Sequence, residues 1–270
     1  VHFKSIKDLT KDIRQCILPK LPNNIGTVYG IARSGVLPAS IIATAIGAKL
    51  GIAGDIPRFG ARQQLIGNDK KGVLLVDDSI FGGGAMHRGL ALMKGMPCTT
   101  CVMYASEKSK HMVDIHGMVL DGARLFEWNF TGIKATEQFM FDMDGVICTD
   151  PAVFDDDGVR YQNEIISGVK PLYLPQAKIY GICTNRIERW RPETSEWLAQ
   201  HGVSYGQLIM QPHATAVERR KQSHPAVYKA EHYKNSTATL FVESHKAQAV
   251  KIAELSKKPV LCVETMELYQ

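Results

Sequence analysis

The 270-residue chain lacks any apolar run near the roughly 20 residues that cross a bilayer. Its first residues also lack the charged-then-apolar pattern of a secretory leader. A transmembrane segment is therefore not expected. Paired cysteine spacing is scarce. Cys16, Cys98, Cys101, Cys148, Cys183 and Cys262 are scattered, and only Cys98-Thr99-Thr100-Cys101 has metal or redox spacing. A second such pair and a histidine pair at ligand spacing are both missing, and Cys101 opens the apolar run to Tyr104, so this stretch reads as core strand. Reduced, buried thiols in a cytosolic protein are the expectation. No Lys/Arg run with interleaved aromatics is found, which argues against nucleic acid, and no internal repeat or low-complexity tract is present. Asp155-Asp156-Asp157-Gly158 lacks the further spacing and terminal glutamate of a calcium loop and reads as a turn.

The chain does have apolar runs that end in paired carboxylates. One is Val73-Leu74-Leu75-Val76-Asp77-Asp78, followed by Ser79-Ile80-Phe81 and the glycines Gly82, Gly83 and Gly84 before Ala85. The other is Phe139-Met140-Phe141-Asp142-Met143-Asp144-Gly145. In an open α/β sheet, ligands bind at such carboxyl ends. Around them, strand-like and helical segments alternate as in parallel, doubly wound sheets.

Ser5 is placed to cap a helix carrying Ile6, Leu9, Ile13 and Ile17. A strand is expected over 27–31, a helix over 38–50, an extended excursion over 51–72, a helix near 84–94 and a strand near 101–105. Residues 125–137 form a seam between domains expected at 1–134 and 135–270. The second series continues with strands near 179–183, 207–210, 239–242 and 260–263 and a helix over 192–201. Residues 1–134 carry a formal charge of +7 and the remainder −2, so the basic half suits a polyanionic ligand.

In the first half, vicinal carboxylates accept hydrogen bonds from ribose hydroxyls, and glycines let backbone N–H groups approach a phosphate at a helix start. This stretch resembles the motif by which type I phosphoribosyltransferases bind 5-phosphoribosyl 1-diphosphate (PRPP), with Asp77 and Asp78 in the ribose positions. It departs from that motif at Phe81, Gly82 and Ala85, where the family has threonines, leaving backbone donors and a cation from elsewhere. Gly30-Ile31-Ala32-Arg33-Ser34-Gly35 resembles the family's pyrophosphate loop, with Arg33 donating to the leaving diphosphate. Arg62, Lys70, Lys71 and Lys108 are further cations for that group, and the sequence does not choose among them.

In the second half, Asp142 can attack phosphorus while Asp144, two residues on, protonates the leaving oxygen and later activates water. The pattern resembles the DxDG signature of the haloacid-dehalogenase superfamily. That resemblance gives Thr184, at the end of Ile182-Cys183-Thr184, a hydrogen bond to the phosphoryl group. It gives Lys229, with Lys221 as the alternative, the bridging lysine, and Glu243 a metal carboxylate beside Asp142 and Asp144, with Mg²⁺ as cofactor. The short stretch between Val146 and Ile179 leaves room only for a minimal cap.

Over nearly the whole chain, this order resembles the dual-domain ribofuranosyltransferases of bacterial surface-polysaccharide assembly, with Phe126-Glu127-Trp128-Asn129 at the seam. The resemblance implies an α/β protein of two doubly wound parallel-sheet domains, the first phosphoribosyltransferase-like and the second Rossmannoid. It implies transfer from PRPP to a glycan hydroxyl, followed by removal of the 5-phosphate. A lipid-linked acceptor would bring the protein to the inner membrane face. Two alternatives stay open: a nucleobase enzyme of the orotate type fused to a nucleotidase, and a PRPP sensor fused to a phosphatase. Acceptor sugar, linkage and oligomeric state are not written in the sequence.

Overall fold

The computed structural model describes residues 1–54, 71–152 and 158–270. It divides into two compact units, Val1–Trp128 and Asn129–Gln270. Among the described residues no helix is long and apolar enough to cross a membrane. No disulfide forms; Cys16 and Cys98 are half-buried and the other four cysteines are buried.

The first unit opens with β1 (His2–Lys4) and α1 (Ile6–Asp12). The hydroxyl of Ser5 accepts from the Asp8 N–H while the Asp8 carboxylate accepts from the Ser5 N–H, a reciprocal cap worth about 1 kcal/mol. There follow β2 (Ile25–Gly30), α2 (Val36–Ile46), β3 (Lys49–Ile52), β4 (Gly72–Ser79), α3 (Gly84–Leu92), β5 (Thr99–Ala105), β6 (Ile115–Val119) and β7 (Arg124–Phe126). Five of the strands form a parallel sheet of order β3-β2-β4-β5-β6, and β1 pairs separately with β7. Central β4 is buried on both faces, which is why it reads as an unbroken apolar run, with Leu74, Leu75 and Val76 wholly inaccessible.

The helix expected to reach residue 50 stops at Ile46. Gly47 adopts φ +67°, and the chain re-emerges as edge strand β3, paired with β2. The loop from Gly30 to Gly35 lies hard against the end of β4. A β-carbon on Gly35 would stand 2.7 Å from the Val76 carbonyl oxygen and 2.9 Å from the Asp77 α-carbon. Gly35→Ala is therefore expected to cost about 1–3 kcal/mol and to push the loop off the acid pair, checked by thermal unfolding. The Ala32–Arg33 peptide bond within this loop is cis.

The second unit contains β8 (Phe139–Phe141), α4 (Val159–Asn163), β9 (Gly181–Ile187), α5 (Arg191–Gln200), β10 (Leu208–Gln211), α6 (Ala216–Gln222), α7 (Pro225–Lys234), β11 (Leu240–Glu243), α8 (Lys246–Ser256), β12 (Val260–Cys262) and β13 (Glu267–Tyr269). Its sheet has the order β10-β9-β8-β11-β12-β13, parallel except for the last strand. Pro225 stands at the first helical position of α7, where a missing N–H costs nothing. Phe241, Ile252, Val260 and Tyr233 pack α7 and α8 onto one face. The ends of β8, β9 and β11 therefore meet in the middle of the sheet.

Candidate active sites at two strand ends

In the first unit Asp77 and Asp78 close β4, each 6% exposed. The Asp78 N–H donates to the Asp77 carboxylate at 2.9 Å, and the Trp128 indole N–H donates to the Asp78 carboxylate at 2.8 Å. Trp128 stacks on Phe126 (centroids 4.9 Å apart), and Phe126 stacks on Tyr104 (5.2 Å), so the indole is fixed by core packing. Beyond the acids, Gly83 takes φ +76°, which a side chain resists, and caps α3. Gly82 and Gly84 are exposed and Ala85 is half-buried. Arg33 is exposed and Ser34 half-buried in the loop across β4. Lys71 and Lys108 are both exposed, whereas Arg62, Lys70 and Asp155 to Asp157 lie outside the described residues.

Burial, then the adjacent Asp78 charge, raises the Asp77 carboxyl to about 7 from 3.8. Burial also raises Asp78, opposed by its hydrogen bond from Trp128. A carboxyl raised on folding stabilises the fold below pH 3.8 and loses that contribution as pH climbs through about 7. Asp77→Asn should remove this slope and raise stability at pH 8 by on the order of 3 kcal/mol. Melting temperatures across pH 5–9 check it; parallel curves for the two proteins would overturn the assignment.

In the second unit the Lys229 ammonium, 2% exposed, donates to Asp142 at 2.7 Å and to Glu243 at 2.9 Å. A third contact, to the Gln248 side-chain oxygen, is 3.4 Å long. Two buried carboxylates thus share one cation. Burial, with Glu243 adding to it and Lys229 opposing, raises the Asp142 carboxyl to about 8. The same carboxylates raise Lys229 against its burial. Lys221 does not enter this cluster; it lines a neighbouring cavity.

Asp144 faces a different partner. The Arg186 guanidinium, 1% exposed, donates through Nε at 3.1 and 3.2 Å and through Nη2 at 2.5 Å, a bidentate clamp across the carboxylate. Its Nη1 donates to Thr194 at 3.2 Å. Burial works against the Arg186 charge, and Asp144 outweighs it. Thr184 is fully buried and accepts from the Arg186 backbone N–H at 3.2 Å; the cavity wall at this strand end is Asn185. Gly145, at φ +76°, turns the chain tightly beneath Ser244, where a β-carbon would meet the serine at 2.5 Å.

Asp142, Asp144, Asp150, Arg186, Lys229 and His245 line one cavity of 610 Å³. Asp150 was not singled out from the sequence; burial, then the charges of Asp144 and Glu243, raises its carboxyl. Among the described residues no three potential ligands close a preformed metal cage. Mg²⁺ ordinarily takes one or two carboxylates and fills its shell with phosphate oxygens and water, so the hard oxygens of Asp142, Asp144 and Asp150 fit it. Glu243 is already engaged. One of its oxygens faces Lys229, and the other accepts from the Ser244 N–H and hydroxyl and from the His245 N–H.

No family model matches the sequence, and no curated protein matches it. Solved structures similar to about half of the chain include two phosphoribosyltransferases. The purine phosphoribosyltransferase from Pyrococcus horikoshii is 16% identical over 47% of this chain and 92% of its own, with a TM-score of 0.37. The xanthine-guanine-hypoxanthine phosphoribosyltransferase of Helicobacter pylori is 17% identical over 47% of this chain and 91% of its own, with a TM-score of 0.38.

Proposed function

We propose that the chain transfers a 5-phosphoribosyl group from PRPP to a glycan hydroxyl and then removes the 5-phosphate. The observation that carries the reading is the coexistence of two strand-end acid sites in one chain. Asp77 and Asp78, beside a glycine-led helix, are suited to a ribose phosphate. The Asp142–Lys229–Glu243 cluster beside Asp144 is suited to a phosphoryl group.

In the first step Asp77 and Asp78 hold the ribose hydroxyls, and the backbone of Gly82, Gly83, Gly84 and Ala85 receives the 5-phosphate at the start of α3. The acceptor hydroxyl forms a bond to C1 as the bond to diphosphate breaks, through an oxocarbenium-like state, and its proton passes to the departing diphosphate. Arg33, with Ser34 and Gly35, steadies the departing diphosphate. In the second step an Asp142 oxygen bonds to phosphorus as the bond from phosphorus to the ribosyl oxygen breaks. Asp144, released from the Arg186 clamp and protonated from solvent once substrate is bound, gives its proton to that leaving oxygen. Asp144 then takes a proton from the water that cleaves the aspartyl-phosphate. Lys229 keeps Asp142 oriented, and Arg186 does the same for Asp144. Bound Mg²⁺ would offset the repulsion between phosphate and carboxylates.

The test is pyrophosphate release from PRPP and Mg²⁺ by the Asp142→Asn chain, with glycan and nucleobase acceptors in parallel. Release that needs a glycan, with phosphate retained on the product, supports the reading. Release only with a free base would move it to nucleotide metabolism. Binding of PRPP with no release would make the first unit a sensor.

A further inference from the structure

The short stretch between β8 and β9 sends one aromatic side chain into the cavity of the second unit. In α4, Val159, Arg160 and Asn163 are exposed, and Tyr161 alone is buried, 8% accessible. Its ring tilts against Trp190, with centroids 5.9 Å apart. The next residue ties the helix down, the Gln162 amide donating to Glu193 on α5 at 2.6 Å. Tyr161 lines the 610 Å³ cavity together with Asp144 and Arg186. A buried tyrosine hydroxyl ordinarily finds a hydrogen-bond partner. This one has none among the described residues. Burial, then the Asp144 charge, raises the hydroxyl well above the usual phenol range, so it stays a neutral donor. Packing accounts for the ring, which phenylalanine would supply equally well, and leaves the hydroxyl over.

We propose that the Tyr161 hydroxyl donates a hydrogen bond to the substrate oxygen that leaves phosphorus, making it a catalytic residue that favours esters of sugar alcohols. The inference rests on the reading of the second unit as an aspartyl-phosphate phosphatase. In that reaction Asp144 is the acid for the leaving oxygen, and Tyr161 shares the cavity wall with it. Of the charges around the hydroxyl, that of Asp144 acts on it most strongly. As the bond from phosphorus to the leaving oxygen breaks, the electron pair stays on oxygen. Asp144 supplies the proton. Tyr161 keeps its own and donates a second hydrogen bond to the negative charge that develops there. A sugar alkoxide leaves poorly and needs both donors. A nitrophenolate carries the charge unaided and needs little from either.

The test compares the full chain with its Tyr161→Phe variant on methyl ribofuranoside 5-phosphate and on p-nitrophenyl phosphate, both in Mg²⁺. The readout is kcat/KM, which covers the steps up to departure of the leaving group. Hydrolysis of the aspartyl-phosphate is common to both esters. The variant should lose on the order of 10²-fold on the riboside, as removal of one transition-state donor does, and stay within about twofold on the aryl ester. Its melting temperature should not fall, since the hydroxyl removed has no partner in the fold. An equal loss on both esters, or no loss on either, would overturn the proposal. A lowered melting temperature would do the same, by showing that the hydroxyl is partnered within the protein. A parent chain that hydrolyses neither ester removes the phosphatase reading and this role with it. An active parent that phenylalanine leaves unaffected removes the role alone.

Discussion

Replacing Lys229 with methionine is expected to destabilise the second unit by about 3–5 kcal/mol and to abolish phosphate release. The side chain is similar in length and fills the space, so loss of packing contributes little. What remains is Asp142 and Glu243, 5% and 0% exposed, facing one another without a cation. Asp142 is already raised to about 8 with the lysine present. Without it, ionisation within the fold becomes harder still, and the cost grows with pH. The folded state keeps its stability in acid, below 3.8, and loses it as pH rises through about 8 and beyond. Differential scanning calorimetry at pH 5, 7 and 9 reads this directly. A variant that melts within 0.5 kcal/mol of the parent at every pH, about the spread of a neutral surface change, would mean that water reaches the carboxylates and the pair is not buried.

Asp142→Asn should have the opposite profile, with activity lost and the fold kept. The amide oxygen still accepts from Lys229, and one lysine then faces one carboxylate, so no fall in melting temperature is expected. The proposed nucleophile, however, is gone. Loss of a nucleophile that acts with a positioned base lowers turnover by on the order of 10⁴-fold or more. Phosphate release is the readout, together with ³²P retained on the parent chain after acid quench and absent from the variant. Substantial phosphate release by the asparagine protein would show water attacking phosphorus directly and would remove Asp142 from the role given to it. Taken with Lys229→Met, the pair of variants separates chemistry from stability at two atoms 2.7 Å apart.

The two strand ends were legible because parallel strands covered on both faces appear as apolar runs, and an acid pair after such a run stands out. The end of α2 was not. Ala48 to Ile52 is too short to show a period, and only pairing with β2 makes it a strand. Arg186 left no local trace. It sits in β9 among buried residues, and its partner Asp144 is 42 positions away. Asp150 lies past the turn at Gly145, and nothing in its neighbours marks a carboxylate facing the cavity. The Trp128–Asp78 bond spans 50 positions. Tryptophan in an aromatic stretch reads equally as core packing, and here it both packs and donates. Such long-range polar pairs depend on tertiary placement, which periodicity and spacing do not encode.

The indole that holds Asp78 also makes the first site visible from outside. The chain has three tryptophans, and the two in the second unit, Trp190 and Trp197, are 4% and 1% exposed. Trp128 is the one in the first unit, and its N–H ends on a carboxylate that a ribose would contact. An excited indole transfers charge readily to its surroundings, so its emission follows the electrostatics of that carboxylate. Loading the site should therefore alter the protein's own fluorescence, giving a label-free titration of the first unit in the intact chain.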